Sequence, residues 1–486
     1  MLDKTITPHP TEEATGFGAR HALVLFALLL AVALNPIVGL LSGNAQAEIA
    51  IHFHTTQLAW FTLTGALVGT FLLPFVVKAA GIYGKKRVIV IVTALGLVGD
   101  LIAASATSYH ALLIGRGIAG VYGTAAAVAY AAARDVFPRP LVGPASALLA
   151  GSVGMVGLGG PFLSGWLIDT WGFRGALWFM VAATAFGLVI LLTFLPESPV
   201  REARVRMDWL GGILLGGALT AIAYGVGQGS EWGWTSGKFL AYLIGALVAL
   251  IAFGFTQARI ANPLFPMALL ARRRVWTVLL ATGMSAGALY SVGVVMQLLA
   301  LMPKIPTISD GLGWSATHNA VVTAPISVVV ILSAVTAGVL ARRVDPRILL
   351  GAGGVLTTIG YGIGAQWHDT AGHIVAWGLI SGVGMGMVVS SVPILIIAAV
   401  SPEEQALGNG AQNMVQGITQ VVISQLVFVF MARNGKVLKG TQFYSDSGFS
   451  NGFWLVAGCC AAGTLLVLLI PKTKKLDEVE AGQAVS

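Results

Sequence analysis

The chain has 486 residues, of which 56% are hydrophobic and only 10% charged, with a mean hydropathy of +0.84. A soluble chain of this length needs about 25% charged residues to cover its surface, so a water-soluble globular fold is excluded. The net charge of +8 raises nucleic acid as a partner, and the distribution of that charge answers the point below. Cys459 and Cys460 are neighbours in an apolar run and point in different directions on a helix, which argues against a disulfide or metal framework.

In chain order, a polar stretch (1–21) precedes the first apolar run. No small-residue cleavage site follows that run, so it reads as a membrane helix and not a removable signal. Apolar blocks of roughly 20 residues, enough to cross a ~30 Å hydrocarbon core, recur along the chain. They fall at 21–43, 56–78, 87–107, 110–133, 142–168, 175–195, 209–228, 238–257, 275–302, 315–341, 348–367, 372–399, 406–432 and 451–471. Inside lipid the backbone must satisfy its own hydrogen bonds, and continuous apolar runs do so as helices, not barrel strands. The expected class is an all-α polytopic membrane protein with 14 transmembrane helices. Sixty-two glycines suit such helices, where small residues let backbones approach closely.

With both termini on the cytoplasmic side, 21 of the 28 Lys and Arg residues fall in cytoplasmic segments and six opposite, with Arg116 inside a span. The positive-inside rule therefore supports a multi-pass protein of the inner (cytoplasmic) membrane with both termini cytoplasmic. The basic excess is topological, so no nucleic-acid partner is expected. Short basic turns at 78–87 and 338–347 occupy equivalent places in two six-helix halves. The expected organisation is a first bundle with its N-tail (1–195), linkers with two additional helices (196–272), and a second bundle with its C-tail (273–486).

Several strings carry a family likeness: Arg116-Gly117-Ile118-Ala119-Gly120, the run Gly157 to Gly165 around Pro161, and Gly172-Phe173-Arg174. Others are Met207-Asp208-Trp209-Leu210-Gly211-Gly212, Asn262-Pro263-Leu264-Phe265-Pro266 and Gly408-Asn409-Gly410-Ala411-Gln412-Asn413. With these strings, and over nearly its whole length, the chain resembles the major facilitator superfamily, in particular its fourteen-helix drug:proton antiporter branch. The resemblance implies two six-helix bundles plus two extra helices, with substrate bound between the bundles. It also implies that Arg116 faces the translocation path and that the span-five string seals the interior during exchange. In that light Gly84, Lys85, Arg87, Gly157, Gly160, Pro161, Gly165, Asn409 and Asn413 are the expected conformational gate. The chain departs from the family at several places: Gly81 and Arg342 stand where members carry an acid in the basic turns, Ile82 where a basic residue follows, Asn35-Pro36 where many have an acid in span one, and Ala119 where Gln is usual.

Charge inside a bilayer is costly and marks function by default. Asp100 and Arg116 are each eight residues from Ser108 in the turn between spans three and four, so at ~1.5 Å per residue they share a depth. One reading is a proton-coupling site, with Asp100 taking up and releasing a proton under the influence of Arg116. The other is a permanent structural pair, or two residues on different helix faces. Asn35, Tyr290, Gln297, Gln416 and Gln420 are the expected substrate-cavity residues, giving amide and phenol groups in an apolar surround. Asn409, Gln412, Asn413, Gln416 and Gln420 follow helical spacing and share a stripe that faces protein or water, either towards substrate or in interhelical hydrogen bonds. Glu403 and Glu404 suit a helix N-terminus. No phosphate-binding loop, catalytic residue set or metal-ligand cluster appears, so neither enzyme activity, cofactor nor metal is expected.

The expected function is secondary active transport, a proton-coupled exporter of hydrophobic or amphipathic small molecules such as drugs. The partners are a small-molecule substrate, protons and the lipid bilayer; the sequence leaves oligomeric state open. Lipid or metabolite export, or proton-independent facilitation on the same fold, is the alternative. A membrane sensor or intramembrane enzyme is the remote one.

Overall fold

The apolar blocks become helices wherever they are expected. The computed structural model describes residues 18–198, 208–260, 263–264, 266–401 and 404–472. The tails, the 199–207 linker, Asn262, Phe265 and Glu403 lie outside the described residues. The first elements are α1 (Ala19–Phe53), α2 (Ala59–Tyr83), α3 (Lys85–Ser105), α4 (Tyr109–Ala119), a 3-10 turn (Gly120–Thr124), α5 (Ala125–Val136) and α6 (Arg139–Phe194). Then come α7 (Trp209–Trp232), α8 (Gly237–Arg259), the short α9 (Met267–Leu270) and α10 (Arg273–Leu301). The rest are α11 (Ala316–Leu340), α12 (Pro346–Gly364), α13 (Ala371–Ala399), α14 (Gln405–Ala432) and α15 (Asp446–Val467). Among the described residues, 12 helices are long and apolar enough to cross a membrane.

Two faces follow from the pairing of helix ends. We call the face where α1 begins and α15 ends the terminal face, and the opposite one the distal face. Side-chain caps set many boundaries: Ser108, Ser236, Ser315, Thr370 and Ser445 each accept a hydrogen bond from the backbone N–H three residues on, at distal starts of helices. Each such cap is worth about 1 kcal/mol. Two small hairpins, β1 (Lys304–Ile305) with β2 (Ser309–Asp310) and β3 (Lys436–Leu438) with β4 (Thr441–Phe443), lie on the distal side. The sequence reading had not placed them.

Two expectations are corrected. The first span was expected to end near residue 43, yet α1 runs to Phe53, 35 residues in all. Asn44, Gln46 and Glu48 look like loop residues, but each finds a partner that keeps the helix intact. Asn44 donates to Ser164 at 3.0 Å, Gln46 donates to Thr62 at 3.0 Å, and Glu48 accepts from the Phe173 N–H at 2.6 Å. Pro161, a residue type that interrupts a helix's hydrogen-bond ladder, lies inside α6, and the non-helical residue of α6 is instead Gly172, at φ 65° and ψ −173°. Only glycine adopts that conformation cheaply. The two arms of α6 then run in opposite directions: Ser164 reaches Asn44 near the distal end of α1, while Leu192 accepts from Lys86 at the terminal start of α3. Arg174 fastens this return by donating to the Ala104 and Ala106 carbonyls at the end of α3. Span four is not continuous α-helix either, since Gly120–Thr124 tightens to a 3-10 turn.

The apolar core changes character with depth. Towards the distal face one cluster joins early and late helices, from Leu41 and Phe61 to Leu298, Val427 and Phe453. Towards the terminal face it divides in two. One core gathers α1, α2, α3, α5 and α6 around Leu28, Ile89 and Leu149. The other gathers α7, α8, α10, α12, α13, α14 and α15 around Val275, Leu350 and Leu395.

Candidate functional site

Asp100 and Arg116 meet at one level because α3 and α4 touch backbone to backbone. A Cβ on Gly99 would lie 2.7 Å from the Gly115 carbonyl oxygen, and one on Gly115 would lie 2.7 Å from the Gly99 carbonyl oxygen. The neighbours of these two glycines are the two charged residues, buried to 2% and 5% exposure. They do not form an ion pair within 4.0 Å. Instead Thr184 donates to one Asp100 oxygen at 2.8 Å and Tyr122 donates to the other at 3.3 Å. Arg116 lies 5.5 Å from the Phe61 ring centre and 3.8 Å from the Met180 sulfur, and its Nε has no hydrogen-bond partner. A buried guanidinium with an unmet donor is an expensive arrangement.

Tyr122 and Thr184 were not read from the sequence. Gly96 carries the one signal for Tyr122, since any Cβ there would fall inside its ring. That signal is invisible without the fold.

The cavity residues divide. On α1, Asn35, Gly39 and Gly43 follow one another at four-residue spacing and share a face. Gly43 packs under the Gln297 side chain of α10, so this face looks across to the second half of the chain. Asn35 is exposed and a Cβ on Gly39 meets nothing within 4 Å. On α10, Tyr290, Gly293 and Gln297 share the facing stripe; Tyr290 is 40% exposed and Gly293 also faces open space. Gln297 therefore borders α1 directly, Tyr290 lies two turns before it on α10, and the Asn35 amide lies beside Gly123 of the 3-10 turn. Gln416 is engaged by its neighbour, accepting from Gln412 at 3.0 Å, and Gln420 accepts from Ser291 through its backbone. Gly417 beside them presses on Thr70 of α2, so this part of α14 also borders the first half.

The expected gate residues fall in three places. At the α2–α3 turn, Gly84 takes φ 105° and a Cβ there would lie 2.5 Å from Glu197. Lys85 pairs with Asp135, which also accepts from Ser198, and the Lys86 N–H donates to Glu197 at 3.2 Å. The acid missing from this turn is thus supplied by Asp135 and Glu197, which sequence reading overlooked; Arg87 is exposed. On α6, a Cβ on Gly165 would lie 2.7 Å from the Thr317 backbone nitrogen of α11 and one on Gly160 would strike Leu40, whereas a Cβ on Gly151, Gly154, Gly157 or Gly159 would meet nothing within 4 Å; Pro161 lies inside the helix. On α14, Asn409 and Asn413 are exposed near the terminal face. Just before them Glu404 pairs with Arg272 at 2.8 Å, and this hydrogen-bonded guanidinium holds its carboxyl below the ordinary value of 4.5.

A lowered folded-state pKa means the Arg272–Glu404 tie is fully present above 4.5 and is lost as pH falls through the lowered value. Hydrogen exchange in the first turn of α14 is expected to rise in that acid window, and Arg272→Gln to remove the rise. An unchanged profile in the variant would show that another group titrates there.

Whole-chain comparisons bear on the family and the fold. The family model described as Major Facilitator Superfamily matches residues 21–424 and 291–485. The chain is 24% identical over 464 residues to the efflux pump FUS6 of Gibberella moniliformis, covering 92% of this chain and 80% of that one. It is 28% identical over 370 residues to the uridine/deoxyuridine transporter of Lactococcus lactis subsp. cremoris, covering 72% and 74%. Among solved structures, a POT family transporter in complex with 5-aminolevulinic acid superposes with a TM-score of 0.65 at 14% identity, covering 91% of this chain and 95% of that chain. A chain that matches the family model over most of its length and shares this all-helical fold belongs to the Major Facilitator Superfamily, as a multi-pass membrane transporter.

Proposed function

We propose that this transporter is a proton-coupled exporter of neutral amphipathic or hydrophobic small molecules, working by alternating access. The observation that carries the reading is the division of the core. One apolar cluster spans both chain halves at the distal face, and two separate clusters stand at the terminal face. A protein held together at one end and parted at the other is poised to rock about a central site. Here that site is the space bordered by Asn35, Gly39, Tyr290, Gly293 and Gln297, which offer amides, a phenol and bare glycine but no charge. Apolar walls with a few polar groups suit a largely apolar ligand. Similarity to efflux pumps supports export; the uridine/deoxyuridine transporter among the relatives keeps metabolite transport as the second reading.

Fourteen spans are part of this proposal. The two opposed arms of α6, which turn back at Gly172, make two passes, and the 19-residue α12 adds another. That count supports the six-two-six organisation with the terminal face towards the cytoplasm. Asp100, Tyr122 and Arg116 are assigned to proton coupling, because an acid, the hydroxyl bonded to it and a cation with an unmet Nε are buried at one level.

The test is reconstitution in liposomes with an imposed proton gradient and a panel of lipophilic cations and neutral antibiotics. Gradient-dependent movement of neutral compounds, with cations transported at least about tenfold less well, is expected from an uncharged site. Movement that ignores the gradient would remove the antiport mechanism. Preference for the cations would remove the neutral-substrate assignment.

A further inference from the structure

The distal closure holds a contact made by a residue outside the expected gate. Asp169 lies one turn beyond Gly165 on the first arm of α6. Its two carboxylate oxygens accept from the Ala316 and Thr317 N–H groups of α11, at 2.9 and 2.8 Å. These are among the N–H groups that a helix start leaves without an internal partner, and the positive end of the helix dipole favours the carboxylate there. Gly165 completes the contact by admitting the α11 backbone at its own Cα. Beneath it Ser164, fully buried, accepts from Asn44 of α1.

The contact is not needed to build α11. Ser315 already caps that helix, accepting from His318 at 3.1 Å. Asp169 instead ties a helix of the first half to a helix of the second, 147 residues away in sequence. The geometry points to a latch: Asp169 and Gly165 hold the distal gate shut, and release of the α11 N-terminus accompanies its opening. This rests on the alternating-access reading above, with both residues acting on the closed state and neither touching substrate.

A latch that favours the closed state must shift the conformational equilibrium when it is cut, and a shift of this kind reads out as exposure of what lies beneath. Ser164→Cys, in a protein with Cys459 and Cys460 replaced by alanine, places a thiol under the seal. The purified transporter in nanodiscs is treated with a hydrophilic maleimide, and the labelling rate is compared with and without Asp169→Ala. The rate is expected to rise about fivefold or more, the lower end of ordinary coupling between sites. Gly165→Val, which pushes α11 away without removing the carboxylate, is expected to raise it too. Asp169→Asn keeps the size of the side chain, loses the charge, and is expected to fall between.

Monodisperse Asp169→Asn and Gly165→Val proteins that label no faster than the parent would overturn the latch, even if Asp169→Ala fails to fold. Faster labelling in a protein that transports nothing would uphold the latch and count against the export reading alone. An apparent gain from general unfolding is separated by melting temperature, which a latch contact at the exposed rim moves little.

Discussion

Arg116→Leu is expected to lower stability by about 3–5 kcal/mol and to stop transport, because it takes from the buried Asp100 carboxyl its nearby cation in the bundle interior. Asp100→Leu alone is expected to be nearly as damaging, since it leaves a buried guanidinium whose Nε already lacks a partner. The double variant decides between the two roles. Removing both charges removes the uncompensated one, so much of the lost stability is expected to return. Gradient-driven transport is expected to stay lost, since no carboxyl would then remain in the set. Melting in detergent and uptake in liposomes give the two readouts. If transport returned together with stability, the pair would be a structural tie and the proton would have to travel elsewhere. Tyr122→Phe refines the same point: it keeps the ring under Gly96 while deleting the hydroxyl that reaches Asp100, and a selective loss of gradient coupling is expected.

The second large effect concerns glycines that look alike in the sequence and behave oppositely in the fold. Gly99→Val drives a side chain against the Ala119 and Gly115 backbones, which cannot swing aside as a flexible side chain can. Overpacking of this kind costs about 1–3 kcal/mol and more where backbone must move, so little folded protein is expected. Gly157→Val places the same atoms in open space, and the melting temperature is expected to hold within the error of the measurement. Its transport rate is expected to fall at least about tenfold, because a stripe of small residues without a neighbour in this state acquires one when the terminal face closes; a penalty of ~1.4 kcal/mol on that state suffices. A folded Gly157→Val protein with normal transport would mean that the stripe is never packed, and its place in the gate would be lost.

The departures from the family pattern gain a physical reading from the fold. The α2–α3 turn lacks its own acid at Gly81, yet Lys85 and the Lys86 N–H are met by Asp135 and Glu197 from other segments. The turn is therefore tethered to the ends of α5 and α6. Asn35, in place of a membrane acid, leaves the face of α1 that looks across to α10 without charge at that level. That difference underlies the assignment of neutral substrates.

Hydropathy and charge placement in the sequence were enough to establish an all-helical membrane protein, because lipid leaves the backbone no other solution and block length reports bilayer thickness. They also located Asp100 and Arg116 at a common depth, since rise per residue is the same in every helix. The remaining length of α1, the turn at Gly172 and the partners of the two charges were decided by tertiary structure. Asn44, Gln46 and Glu48 are polar in any sequence reading, and only contacts with Ser164, Thr62 and Phe173 make them helical interior. Thr184 reaches Asp100 from 84 residues away, and Asp169 reaches α11 across 147. Local pattern carries no record of such distances: a glycine that admits a neighbouring backbone and one that faces open space are the same letter until the helices are packed.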